Sequence, residues 1–143
     1  MADSRAYTKA EDWIRKEWMP VKFGLRFARE RLKLSSGGEF DFDAVSADEK
    51  IGAVISCSSG VTKSGRAAMP KLHKIRSDCL FLLLASLDRR ILLFSDHALF
   101  RLVEAEKKSG RFPREVELYH VSLPTELDGE VSKARQAAID EER

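Results

Sequence analysis

Apolar residues first recur at helical spacing, with Ala10, Trp13, Ile14 and Trp18 forming one stripe. Thr8 followed by Glu11 has the form of a capping box, in which each side chain satisfies an open backbone amide, so a first helix is predicted from about Thr8. Pro20 and Gly24 end or bend it, and residues 21–27 read equally well as helix or extended chain. From about Arg29 the period changes to two. Leu32 and Leu34 alternate with charges, Ser35-Ser36-Gly37-Gly38 supplies a turn, and Phe40, Phe42 and Ala44 share one strand face while Asp41 and Asp43 share the other. After the turn Ala47-Asp48-Glu49-Lys50, residues 51–58 form a β-branched apolar strand, completing a three-stranded meander.

Pro70 stands where a helix begins, and Leu72, Ile75, Cys79, Leu82, Leu83 and Ser86 keep helical spacing. Leu80, Phe81 and Leu84 make its second half apolar almost all round, which predicts a deeply buried helix. Residues 90–95 form a short apolar strand, Asp96 is a good N-cap for a helix from His97 to about Lys108, and Gly110 is a good stop. Residues 116–122 alternate again as a last strand. The expected architecture is a single α/β domain over residues 1–127, a helix, a three-stranded antiparallel meander, helix, strand, helix and strand around a mixed central sheet. Residues 128–143 form a polar C-terminal tail, helical if it docks through Ala134 and Ala138.

The 143 residues suit one domain, and a hydrophobic content of 43% suffices for its core. A net charge of +2 neither requires nor excludes a nucleic-acid partner. Its distribution says more: residues 61–77 hold Lys63, Arg66, Lys71, Lys74 and Arg76 with no acid, whereas Glu126, Asp128, Glu130, Asp140, Glu141 and Glu142 make the tail acidic. A local positive face is expected. Cys57 and Cys79 are too few for a disulfide framework and read as buried free thiols. No apolar signal core opens the chain, and the run from Cys79 to Leu87 is too short for a membrane span. A cytoplasmic location without a membrane partner is expected.

The candidate chemistry gathers at the meander, where Asp43 falls beside Ser56 and Ser58 and a glycine-, hydroxyl- and base-rich loop follows over residues 56–66. Such a loop between strand and helix is a natural oxyanion cradle, with a solvated surface loop as the competing reading. It departs from the nucleotide-binding P-loop because Lys63 precedes Gly65. His73, His97 and His120 are isolated in sequence and read as surface or packing residues. Trp13 and Trp18 read as packing of the first helix on the sheet.

From Thr8 to about Ser95 the order of elements resembles the core of the PD-(D/E)XK nuclease-like superfamily, the restriction-endonuclease-like fold. In that family an aspartate on the second strand and an acid-any-lysine triplet on the third bind a divalent metal and activate water for phosphodiester hydrolysis. The resemblance puts the aspartate at Asp43, but the acid and the lysine at Ser56 and Ser58, so the motif is degenerate. It implies a magnesium or manganese site at Asp43, with Glu17 as a second carboxylate and Lys63, Lys71 or Lys74 as a relocated lysine. Lys74 and Asp78 read otherwise as a helical pair.

The function expected from these residues is binding of DNA, RNA or another phosphate-bearing ligand through Lys63, Arg66, Lys71 and Lys74 around Asp43. Hydrolysis is expected to be lost or atypical, since hydroxyls replace charged groups where a metal needs them. The alternatives are an active metal-dependent nuclease, and a module that uses the fold as a scaffold for a homodimer or another protein partner.

Overall fold

In the computed structural model, which describes residues 5–141, the apolar runs of residues 51–55 and 91–94 become neighbouring inner strands of one sheet. The chain starts as helix α1 (Arg5–Trp13), passes through a π turn (Ile14–Trp18) and continues as α2 (Met19–Phe23). The meander follows as β1 (Phe27–Lys33), β2 (Glu39–Ser46) and β3 (Ile51–Ser56). Then come α3 (Met69–Leu84), β4 (Arg89–Phe94), α4 (His97–Lys108), β5 (Val116–His120) and α5 (Thr125–Asp140). The strand order is β1-β2-β3-β4-β5. Pairing is antiparallel through β3 and parallel from β3 to β5, so the sheet is mixed, as the element order predicts.

Helices cover both faces. On one, Leu72, Ile75 and Leu82 of α3 and Leu99 and Val103 of α4 pack against Phe42, Val54, Leu92 and Phe94. On the other, Ala10, Ile14 and Met19 pack with Val131 of α5 against Ala44, Ala53, Ile55, Ile91 and Leu93. Burial on both sides explains why β3 and β4 are almost continuously apolar. The charged sequence of β1, with Arg29, Glu30, Arg31 and Lys33, suits an edge strand that must resist pairing with another chain.

The structure departs from the sequence reading at several places. Helix α1 already runs at Arg5, so Thr8 and Glu11 lie inside it and do not form a terminal capping box. The ambiguous stretch resolves into a helix to Phe23, a left-handed Gly24 (φ 73°) and a strand from Phe27. Phe42 and Ala44 do not share a face: Phe42 packs on the α3 and α4 side and Ala44 on the α1 side. Helix α3 ends at Leu84, before Ser86, and is not covered all round, since Leu80 is 53% exposed. By contrast, the Asp96 side chain accepts from Leu99 N as an N-cap should, Gly110 takes a positive φ of 80°, and both cysteines are free and buried.

Residues 128–140 of the polar tail belong to helix α5, which already begins at Thr125. It docks through Val131, which is fully buried, and Ala134. Its Arg135 donates from Nε to the Cys57 carbonyl (2.9 Å) and from Nη2 to Ser95 Oγ (2.6 Å).

Candidate functional site

The β1–β2 register locates the exceptional residue. Val45 pairs with Ala28 and Phe42 with Glu30, so Asp43 and Ala44 together face the single residue Arg29. This is a β-bulge, one extra residue that bends the strand and re-aims a side chain. It is also why Phe42 and Ala44 turn to opposite faces. The β2–β3 ladder pairs Ala44 with Ala53 and Val45 with Gly52, and at Asp43 a side chain takes over: Oδ2 accepts from Ile55 N at 2.8 Å. The carboxylate supplies an acceptor to a backbone amide that would otherwise go unpaired in the interior.

Burial pushes the Asp43 carboxyl up to about 6. The Ile55 amide opposes the shift by favouring the charged form, Glu11 adds to it by repulsion, and Arg29 and Lys74 reduce it. Asp43 is therefore mostly ionised at neutral pH but close to its midpoint, a property found both at functional carboxylates and in structural ion-pair networks.

Glu11 reaches the site from α1. Arg15, only 6% exposed, donates from Nη1 both to Glu11 Oε2 (3.0 Å) and to the Asp43 carbonyl (3.0 Å), and from Nη2 to Asp12 Oδ1. One buried guanidinium thus ties the helix to the bulge. Glu11 Oε2 also lies 3.4 Å from Arg29 Nη1. Glu17, the expected second carboxylate, is exposed and does not line the site. Seven residues at 100° each would put it above Ala10, but the π turn over residues 14–18 inserts extra chain into the helical register and turns it away. The signal that could have found Glu11 is its place beside Ala10 and Ile14, four residues before Arg15.

Beside Asp43 lies a cavity of about 240 Å3, and among its lining residues are Glu11, Arg29, Ser56, Ser58, Lys71 and Lys74. Asp43 is behind this lining, with its carboxylate on the amide of Ile55. The structure therefore brings Asp43, Ser56, Ser58, Lys71 and Lys74 together, and adds Glu11, Arg29 and Tyr7, which the sequence reading missed. Lys63 and Arg66 lie exposed on the loop between β3 and α3, outside this lining. Lys74 is bonded to Asp78 at 3.0 Å while its side chain stays 69% exposed. Cys57 also lines the cavity, but burial pushes its thiol up and makes it a poor nucleophile.

The arrangement gives positive charge and hydroxyl donors at the mouth and two carboxylates beneath. Chemically, that can hold an anionic group against Lys71, Lys74 and the serines. It suits a resident divalent cation poorly. Among the described residues no three histidine, cysteine or acidic side chains gather as a metal-binding group. Asp43 is engaged by the Ile55 amide, Glu11 by two arginines, and neutral hydroxyls stand where magnesium or manganese would want charged oxygens.

No family model, no curated protein and no solved structure matches this chain. No helix among the described residues is long and apolar enough to cross a membrane.

Proposed function

We propose that this chain is a nuclease-like α/β protein that binds nucleic acid, or another phosphate-bearing ligand, in the cavity between α1, β3 and α3, with hydrolysis lost or atypical. The observation that carries this reading is the convergence of Lys71 and Lys74 with the hydroxyls of Ser56 and Ser58 in one cavity beside the half-buried Asp43, whose carboxyl is pushed up to about 6. Lysine ammonium groups neutralise phosphate oxygens and serine hydroxyls donate to them. Exposed Lys63 and Arg66 on the adjoining loop extend the positive surface along a polymeric ligand. Two buried free thiols accord with a reducing, cytoplasmic setting.

The test is binding of single- and double-stranded DNA and RNA over a salt series. Neutralised phosphates release counterions, so the logarithm of affinity should fall with that of salt at about −0.9 per phosphate contact on duplex DNA. The Lys71→Ala/Lys74→Ala variant should bind about tenfold or more weakly and with a shallower slope. Absent or salt-independent binding overturns the reading. The same samples incubated with magnesium or manganese test for cleavage, and only cleavage that disappears in Asp43→Ala would restore the active-nuclease alternative.

A scaffold role for a homodimer or another protein partner is the second reading. It is favoured by the apolar groove that Leu80, 53% exposed, lines together with Leu83, Phe112 and Pro113. A concentration-dependent mass in sedimentation, abolished by Leu80→Glu, would support it.

A further inference from the structure

A second cavity, of about 350 Å3, opens at the carboxyl ends of β4 and β5, the end of a parallel sheet at which ligands commonly bind. Two histidines far apart in sequence meet there. His97 begins α4, His120 ends β5, and their rings stand edge to face with centroids 5.0 Å apart. Arg101 donates from Nε to His97 Nε2 at 3.1 Å, which leaves the proton of the neutral His97 ring on Nδ1, as a donor. Arg135 enters from α5 with its side chain only 12% exposed and is anchored to Ser95 Oγ and the Cys57 carbonyl. Ser122 and Ser132 complete the polar lining.

The one acid deep in this wall is already committed. Asp96 accepts from Gly60 N (2.8 Å) and Leu99 N (2.9 Å) through Oδ2, and its Oδ1 lies 3.7 Å from Arg135 Nε. Donors therefore outnumber free acceptors. A cation is disfavoured by the guanidinium groups of Arg101 and Arg135 and by the lack of a three-ligand cluster among the described residues.

We propose that this cavity binds a small oxyanion group, sulfate or phosphoryl, between His97, His120 and Arg135. The site is separate from the cavity beside Asp43. Cys57 and Arg135 form the partition, Cys57 lining the first cavity and Arg135 the second.

Burial, and next His97, hold the His120 ring below its ordinary range, while the Ser95 backbone and Asp96 act the other way and Arg135 adds to the lowering. The charged and titratable groups around it are Asp96, His97 and Arg101 from α4, and Asp128 and Arg135 from α5. An incoming anion favours the protonated imidazole, so binding tightens as pH falls through the imidazole range. Asp128, exposed on the rim, repels the same ligand.

The test follows the imidazole resonances, and in the variant lacking both rings the backbone amide resonances of Ser95, Val121 and Ser122, by NMR while sulfate is added at constant ionic strength, at about pH 7.5 and about pH 5.5, the span in which histidine changes charge. Sulfate keeps its charge over this span, so any pH dependence belongs to the protein. Saturable shifts of His97 and His120, tighter at the lower pH by about tenfold, are expected, and inorganic phosphate should compete. His97→Gln/His120→Gln should lose saturable binding, Asp128→Asn should tighten it, and Lys71→Ala/Lys74→Ala should leave it unchanged. The proposal is overturned by the absence of saturable shifts, by binding that survives the double glutamine variant, or by binding lost with Lys71 and Lys74. Thermal unfolding shows whether the glutamine variant is folded. If it is not, Asp128→Asn decides alone, an unchanged affinity rejecting the proposal.

Discussion

Asp43 does the work of a backbone acceptor with a side chain, and that substitution sets its chemistry. A carboxylate drawn against the Ile55 amide is half-buried beside a second carboxylate, Glu11, and its proton affinity rises accordingly. Because its folded value is raised above the unfolded one, the ionised form is disfavoured in the native state. The stability it contributes is complete below the unfolded value and is lost as pH rises through about 6. Asp43→Asn keeps an oxygen for the Ile55 amide and removes the charge. We expect it to be more stable than the parent by about 1–3 kcal/mol at about pH 7.5, with the gap closing by about pH 4, measured as the difference between two series of urea unfolding curves. The difference is the proper readout, since Asp48 and Glu117 are held below the ordinary carboxylate range by Ser46 and Arg89 and lose stability on acidification. A gap of opposite sign would show that the Ile55 bond outweighs burial. Arg15 has the complementary part, converting a helix position into a fixed distance from the bulge through its bonds to Glu11 and the Asp43 carbonyl.

Elements place these residues through their irregularities. The bulge in β2 turns Asp43 toward β3, Glu11 faces the site from α1, and Glu17, within the π turn that follows, is exposed away from it. A third irregularity is the close approach of the loop after β3 to α4. A Cβ on Gly60 would lie 2.3 Å from Leu99 N and 2.5 Å from Leu99 Cα, both backbone atoms of the first turn of α4. A Cβ on Gly52 would meet only the Leu87 side chain, at 2.5 Å from Cδ1, which can swing aside. Overpacking costs about 1–3 kcal/mol, so Gly60→Ala should fall at or above the upper end and Gly52→Ala near the lower. Denaturant midpoints order the two. Gly60→Ala should also disturb the His97 and His120 resonances, because α4 must move to admit the methyl group, and an undisturbed pair would show that the loop yields instead.

At the scale of the whole molecule, the sheet joins an antiparallel half to a parallel half at β3, and both cavities lie near the carboxyl ends of its strands. Burial is deepest in β3 and β4, which are flanked on both sides and covered on both faces. Native-state amide exchange should therefore be slowest in these two strands and fastest in β1, the charged edge. Comparable protection of β1 would indicate that something else covers this edge.

The sequence alone determined what depends on neighbours along the chain. The helical stripe of Ala10 and Ile14, the alternation that makes strands, the Asp96 cap and the Gly110 stop were legible because each is a local preference of the backbone. Asp43 and Ser56 could be placed near each other because they belong to neighbouring strands joined by a short turn, whereas Ser58 lies just beyond the second of these, which ends at Ser56 and not at residue 58. Only the tertiary structure decided the rest. A bulge is a mismatch between two strands, the turning of Glu17 outward follows from a π turn that side-chain spacing does not reveal, and the meeting of His97 with His120 requires the parallel pairing of β4 and β5. The polar tail became a docked helix because Val131 and Arg135 find partners on the sheet that no local pattern announces. Local propensity thus set the order of elements, and contacts between distant segments set which side chains share a cavity.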